Sequence, residues 1–270
     1  VAAEAVPPGI YGWFGLRLPF ADRMQLIREA GFTATSVWWE EDHPEGRRLR
    51  HHAPDMARAA GLELDSVHAP YRGCNRLWSE NDDDRQAAVA EHVRWVQDCA
   101  RHGVRALVMH VAQGGACPPP GDAGLDSLRR IVEVAEEGDV RIAIENTRRV
   151  EHIEYALGHI ESPHLGLCYD TSHDVLYSPQ PLAILERWRH RLVTAHLNDT
   201  NGRRDYHWLP GEGVVDFDAV SEYMPWPHEG IPILEVVCYD KDTDALAFLQ
   251  DAWRAYWVVV RGETAKGHPP

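Results

Sequence analysis

Eight short runs of almost wholly apolar residues recur along this chain, alternating with segments of helical spacing, and that alternation constrains the fold more than any other feature. The runs cover 10–16, 35–39, 64–68, 106–110, 141–145, 165–169, 192–196 and 231–237. Helical spacing covers 21–30, 51–60, a long stretch from Asn81 to Gly103, 125–137, 150–160, 181–191 and 243–260. Strands this short and this apolar are buried on both faces, which in an alternating order means a parallel sheet covered by helices. With 270 residues and no Pro/Gly/Ser linker, closure of that sheet into one (β/α)8 TIM barrel is the expected α/β architecture. One domain over 1–260 is predicted, with 261–270 as a loose C-terminal tail.

The runs end alike. His68, His110, Glu145, Asp170 with His173, and His196 stand where successive runs stop, and Glu235 lies within the eighth. The second run ends on Glu40 and Glu41. Asp205 and His207 follow the seventh run, in a loop that closes on Pro210-Gly211-Glu212-Gly213. Barrel active sites lie at the C-terminal ends of the strands, so nine nitrogen and oxygen donors are expected at one mouth. Taken singly, each has a plainer reading: a hydrogen-bonded histidine, or for Asp170 a cap on a following helix. Together they predict a metal site, and nine donors are too many for one ion of four to six ligands if all are used. His92, His102, His159 and His190 fall in helical stretches and are expected to face solvent. Trp13, Trp38, Tyr71 and Trp208 lie at or beyond strand ends, where they would line a substrate pocket.

Composition narrows the partners. Lys and Arg number 27 against 42 Asp and Glu, a net charge of −15, which counts against a ligand held by a phosphate backbone and makes nucleic acid an improbable partner. Arg148, Arg149, Arg203 and Arg204 could bind phosphate or form salt bridges on a solvated face, and the second is the expected reading. The five cysteines lack a paired motif and read as reduced thiols. Neither a leader nor an apolar run of membrane length is present in these residues, and a cytoplasmic location is expected. Nothing in the residues sets an oligomeric state.

His68-Ala69-Pro70-Tyr71, Ile144-Glu145-Asn146-Thr147, Asp170-Thr171-Ser172-His173, His196-Leu197-Asn198-Asp199 and Pro210-Gly211-Glu212-Gly213 resemble the xylose isomerase-like TIM barrels. That superfamily includes sugar and sugar-phosphate isomerases, epimerases and the zinc-dependent apurinic endonuclease IV. In the isomerase and epimerase branch the resemblance implies one divalent ion, often manganese, on Glu145, Asp170, His196 and Glu235. Glu145 and Glu235 would trade a proton at a carbon beside a carbonyl or hydroxyl, with His173, His68 and His110 supporting or binding the substrate. In the endonuclease branch all nine residues match a three-zinc set, so zinc or manganese, one to three ions per chain, is implied.

The chain departs from both branches. Many two-glutamate epimerases carry an arginine in the loop that here holds Asp205 and His207. The nuclease has His-Pro-Gly and Glu-Thr-Pro where this chain has His110-Val111-Ala112 and Glu235-Val236-Val237. The expectation is a metal-dependent sugar or sugar-phosphate isomerase or epimerase acting on a small polyol. The alternative is a zinc-dependent phosphodiesterase of endonuclease IV type.

Overall fold

The computed structural model describes residues 6–39, 50–114, 116–224 and 230–261. Its strands are β1 (Gly9–Tyr11), β2 (Ala34–Trp38), β3 (Glu63–His68), β4 (Ala106–Met109), β5 (Arg141–Glu145), β6 (Leu165–Asp170), β7 (Leu192–Leu197) and β8 (Ile233–Leu234). They close a barrel in sequence order, every pair parallel, with β8 returning to β1. The single TIM-barrel domain is as expected. Outside the strands run α1 (Phe20–Glu29), α2 (Ala53–Ala59), α3 (Asp82–His102), α4 (Asp122–Glu137), α5 (Val150–His159), α6 (Thr171–Tyr177), α7 (Ala183–Trp188), α8 (Phe217–Tyr223) and α9 (Ala245–Arg261). Among the described residues, no helix is long and apolar enough to cross a membrane. Glu40 and Glu41 lie outside the described residues.

Register decides which side chains point inward. Tyr11 pairs with Ser36 and Ser36 with Ser66; His68 pairs with Val108, Val108 with Ala143, Glu145 with Cys168 and Asp170 with His196. Directly paired residues of parallel strands share a face and the side-chain period is two. The barrel interior is therefore filled by small side chains, with Ala106, Val108, Ala143 and Cys168 forming a buried cluster, and topped by His68, Glu145, Asp170 and His196. The intervening Leu107, Met109, Ile142, Ile144, Leu167 and Tyr169 face the helices and are buried there. Both faces exclude water, which is why these strands read as unbroken apolar runs.

Helix ends follow local chemistry. Asn81 caps α3 by accepting from the backbone N–H groups of Asp83 and Asp84, with three aspartates in the first turn against the positive end of the helix. Gly103 ends it at φ 61°. On α4, Leu125, Leu128, Ile131, Val132 and Ala135 repeat at helical spacing and are buried. Each full burial of such a side chain contributes about 1.5–3 kcal/mol.

Several expected boundaries are corrected. The first run, 10–16, is a strand only over Gly9–Tyr11; beyond Gly12, Phe14 and Leu16 are buried as core under a loop. The eighth, 231–237, is a strand only over Ile233–Leu234, so Glu235 lies past it. The N–H groups of Val237 and Cys238 donate instead to the carbonyls of His207 and Phe14. The helix expected over 181–191 breaks into α7 and a 3-10 turn at Arg189–Arg191. The helix α9 runs through Arg261, into the first residue of the expected tail. His92 does not face solvent: it lies on the same face of α3 as Val89 and Val96, is 2% exposed, packs against Trp95, and its Nδ1 donates to the Ala88 carbonyl at 2.7 Å.

Candidate metal centre at the barrel mouth

All nine sequence-predicted donors meet at the C-terminal end of the barrel. Glu145, at the end of β5, is the hub: His68 Nε2 and His110 Nε2 face its Oε2 at 3.0 and 3.1 Å, and His173 Nδ1 faces its Oε1 at 3.0 Å. His196 Nδ1 lies 3.0 Å from Glu235 Oε2 and 3.6 Å from Glu145 Oε1, between the two glutamates. Asp205 Oδ2 sits 3.0 Å from His173 Nε2 and 3.3 Å from His207 Nε2. Donor atoms of Glu145, Asp170, His196 and Glu235 all lie within 4.8 Å of one another, and His68, Glu145 and His196 form a second such group.

The motif residues between these donors hold them in place. Asp170 caps α6 by accepting from the His173 N–H at 2.7 Å, as its helix-capping reading expects, while its carboxylate also stands within the donor group of Glu145, His196 and Glu235. Its other oxygen accepts from Asn198 Nδ2 at 2.8 Å, and Asn146 clamps its backbone through both the N–H and the C=O. Asp199 is fully buried, and its carboxylate accepts from the backbone N–H groups of Thr200, Gly211, Gly213 and Val215. This folds the Pro-Gly-Glu-Gly turn onto the loop that carries Asp205 and His207. A Cβ at Gly213 would lie 2.1 Å from the Thr200 carbonyl oxygen, so only glycine fits there. His207 itself is held at φ 49°, a left-handed conformation that a histidine rarely adopts.

The mouth concentrates opposite charges that shift one another's ionisation. Burial opposes ionisation of Glu145, yet His110 and His196 outweigh it and hold the carboxyl well below the usual range. Burial opposes ionisation of Glu235 too, and His196 and His207 bring it down to about 2. Asp205 is lowered against burial by His173 and His207. Burial pushes Asp170 up to about 6; His173 opposes this, and Glu145, Asp205 and Glu235 add to it. Burial works against charge on His196, His173 and His207, but Cys168, Glu235 and Glu145 raise His196 and the surrounding carboxylates raise the other two, His207 to about 10. Protonated imidazoles thus balance carboxylates that a bound cation would otherwise balance.

The geometry fits metal ligation. His68 Nδ1 and His207 Nδ1 lie 2.8 Å from the carbonyls of Ala69 and Glu235, so each must donate there, leaving Nε2 to face the centre. The buried His196 nitrogens and His173 Nδ1 have no aligned hydrogen-bond partner despite their close carboxylates. They are aimed at shared space rather than at one another. A set of imidazoles and carboxylates suits zinc, manganese, iron or cobalt.

Above the donors is a cavity of about 400 Å³. Of the four aromatics expected around a substrate, Trp38 and Tyr71 line it, stacked on His68 and His110 with centroids 5.1 and 5.2 Å apart. Trp13 and Trp208 do not. Trp13 lies under the Arg23 guanidinium and is 41% exposed, while Trp208 stacks on Tyr206 and pairs its backbone with Asp199. Sequence reasoning missed Tyr11. Register turns it inward, and burial, then Glu235, raise its hydroxyl well above the ordinary tyrosine value. That hydroxyl is buried without a hydrogen-bond partner among the described residues.

Comparison with known proteins places the fold. The family profile described as the xylose isomerase-like TIM barrel matches residues 24–253. The uncharacterized protein y4fM of Sinorhizobium fredii is 28% identical over 238 residues, 74% of this chain and 75% of that one. The 3-oxo-isoapionate decarboxylase of Pectobacterium atrosepticum is 26% identical over 147 residues, covering 50% of this chain and 54% of the enzyme. Among solved structures, the D-psicose 3-epimerase of Clostridium cellulolyticum H10 with D-tagatose superposes with a TM-score of 0.73 at 15% identity, over 95% of this chain and 98% of that one. At that identity the likeness is one of fold.

Proposed function

This chain belongs to the xylose isomerase-like TIM-barrel family, and from that premise we propose that it is a metal-dependent sugar isomerase or epimerase-like enzyme acting on a small polyol. The observation that carries the reading is the placement of two carboxylates, the buried Glu145 and the partly buried Glu235, both facing His196 Nδ1 at the floor of an open cavity. Glu145, Asp170, His196 and Glu235 would hold a divalent ion. When bound, the ion supplies Lewis-acid polarisation of a substrate oxygen, which acidifies the neighbouring C–H. Glu145 and Glu235, both kept deprotonated by adjacent imidazoles, are the groups to take a proton from that carbon and return it at the same or the neighbouring carbon. Trp38 and Tyr71 would bind the sugar and exclude water. The psicose epimerase with the same fold, and the decarboxylase among the relatives, support sugar-derived substrates.

A second reading has its own observation. His68 and His110 converge on one oxygen of Glu145, while Asp205 joins His173 to His207, so the nine donors form groups able to take two or three zinc ions. Such a centre would hydrolyse a phosphodiester, as in endonuclease IV. The charge of −15 weighs against a nucleic-acid substrate and ranks this reading second. Glu145→Gln tests the first: kcat for ketose or aldose interconversion should fall by roughly 10²–10⁴, with ion content retained. Unchanged turnover in that variant would remove Glu145 from the proposed acid/base pair.

A further inference from the structure

We propose that Arg148 is an anion-recognition group at the rim of the mouth, and that the substrate is an acidic polyol whose carboxylate or phosphate docks on this guanidinium. The inference rests on the polyol reading of the site and names its substrate class. Arg148 follows Glu145 by three residues in the loop after β5, which puts its Cα within about 10 Å of the hub, and its side chain lines the same cavity. The sequence favours a salt bridge on a solvated face over phosphate binding, and among the described residues the structure forms no such bridge. Neighbouring Arg149 donates to the Gly114 carbonyl and to Glu151, whereas Arg148 makes no hydrogen bond or ion pair among the described residues. Its guanidinium rests 4.8 Å above the Tyr177 ring.

That contact holds the cation beside the ring, and its N–H groups, which donate to no described residue, can match a carboxylate or phosphate in a two-point contact. The other rim groups, Gln113, Gly114, Thr147, Tyr71 and Trp38, are uncharged. Arg148 is thus the one arginine or lysine among the lining residues described, in a chain with 42 acidic and 27 basic side chains. Three carboxylates, of Glu145, Asp205 and Glu235, line the floor and wall, and Arg148 is the fixed cation at the rim, standing where the far end of a substrate would lie. The substrate's reacting carbon would then sit between Glu145 and Glu235 with its acidic group at the rim.

The test is titration calorimetry of the manganese-loaded protein with D-ribulose, D-ribonate and D-ribulose 5-phosphate. Wild type should bind at least one of the two anions about tenfold more tightly than the neutral sugar, the size of one charge-assisted contact. The stronger of the two tells carboxylate from phosphate. Arg148→Gln should bring the anion-to-neutral ratio close to one, and Arg148→Lys should keep part of it, with thermal unfolding confirming that both variants fold. Equal binding of neutral and anionic probes by wild type, or a preference that survives Arg148→Gln, overturns the inference and leaves the polyol reading standing. Binding of none of the three overturns both.

Discussion

At the N-terminal end of the barrel, Asp65 of β3 gives one oxygen to Arg105, whose Nε and Nη2 donate to it at 3.0 and 2.9 Å. Around the pair, Ser66 donates to Ser36, Thr194 to the Ile231 carbonyl and Arg105 to that of Val193. At the C-terminal end, Glu145 is approached by four imidazoles, at 3.0, 3.1, 3.0 and 3.6 Å, and the nitrogens of His196 have no aligned partner among the described residues. Both carboxylates are 1% exposed. One carries a single dedicated cation, with Asp65 Oδ2 and Arg105 Nη1 unpartnered among the described residues, and the other stands in a crowd of donors directed at common space. Buried charge with its own partner closes structure, whereas buried charge shared among many donors is a place for something to bind.

The comparison can be broken in three ways. The largest effect is expected from Asp65→Ala, which leaves the Arg105 guanidinium without its carboxylate and should cost about 3 kcal/mol of unfolding free energy. Ion content measured on the folded variant should not change; a matching loss of ion would mean the two ends are one cooperative unit. Next is Asp199→Ala, which strips the acceptor from four backbone N–H groups and should cost about 2 kcal/mol. Here chelator competition should show weaker ion binding, because the loop bearing Asp205 and His207 is no longer pinned. Retained affinity would place those two residues outside the centre.

The smallest effect is a pH dependence confined to the mouth. His207 is raised from 6.5 to about 10 by Asp205 and Glu235, against burial. Its folded form binds the proton more tightly than the unfolded chain does. The associated stability is whole below about 6.5 and is lost as pH rises through about 10. The Tm of chelator-treated protein should therefore fall between pH 7 and 10 by more than that of loaded protein, in which the ion replaces the proton. His207→Gln should flatten the difference. Parallel curves for the two forms would show that no ion takes the place of that proton.

How far the chain could be read depended on what each side chain has to do. The mouth was legible because the third to seventh apolar runs each stop at a polar group, as at His68, Glu145 and His196. Strand length at β1 and β8 was not, since an apolar run reports burial and not hydrogen bonding: Phe14 and Val236 are core residues under loops. His92 was legible in principle, lying three residues after Val89 and four before Val96 on the buried face of α3. Tyr11 was harder, because in a strand buried on both faces no alternation separates inside from outside. That Arg148 meets an aromatic ring and no carboxylate among the described residues depends on which acids lie within reach, and that is set only by tertiary packing.

The most direct test of the metal-centre account is elemental analysis of the chain purified without chelator or added metal. About one equivalent of a divalent ion, above all manganese, is the expected result, reduced to near zero in a Glu145→Ala, Glu235→Ala double variant that still folds. Two to three equivalents of zinc, with hydrolysis of phosphoesters and no turnover of sugars, would contradict the isomerase reading and put all nine donors to work in a hydrolytic centre.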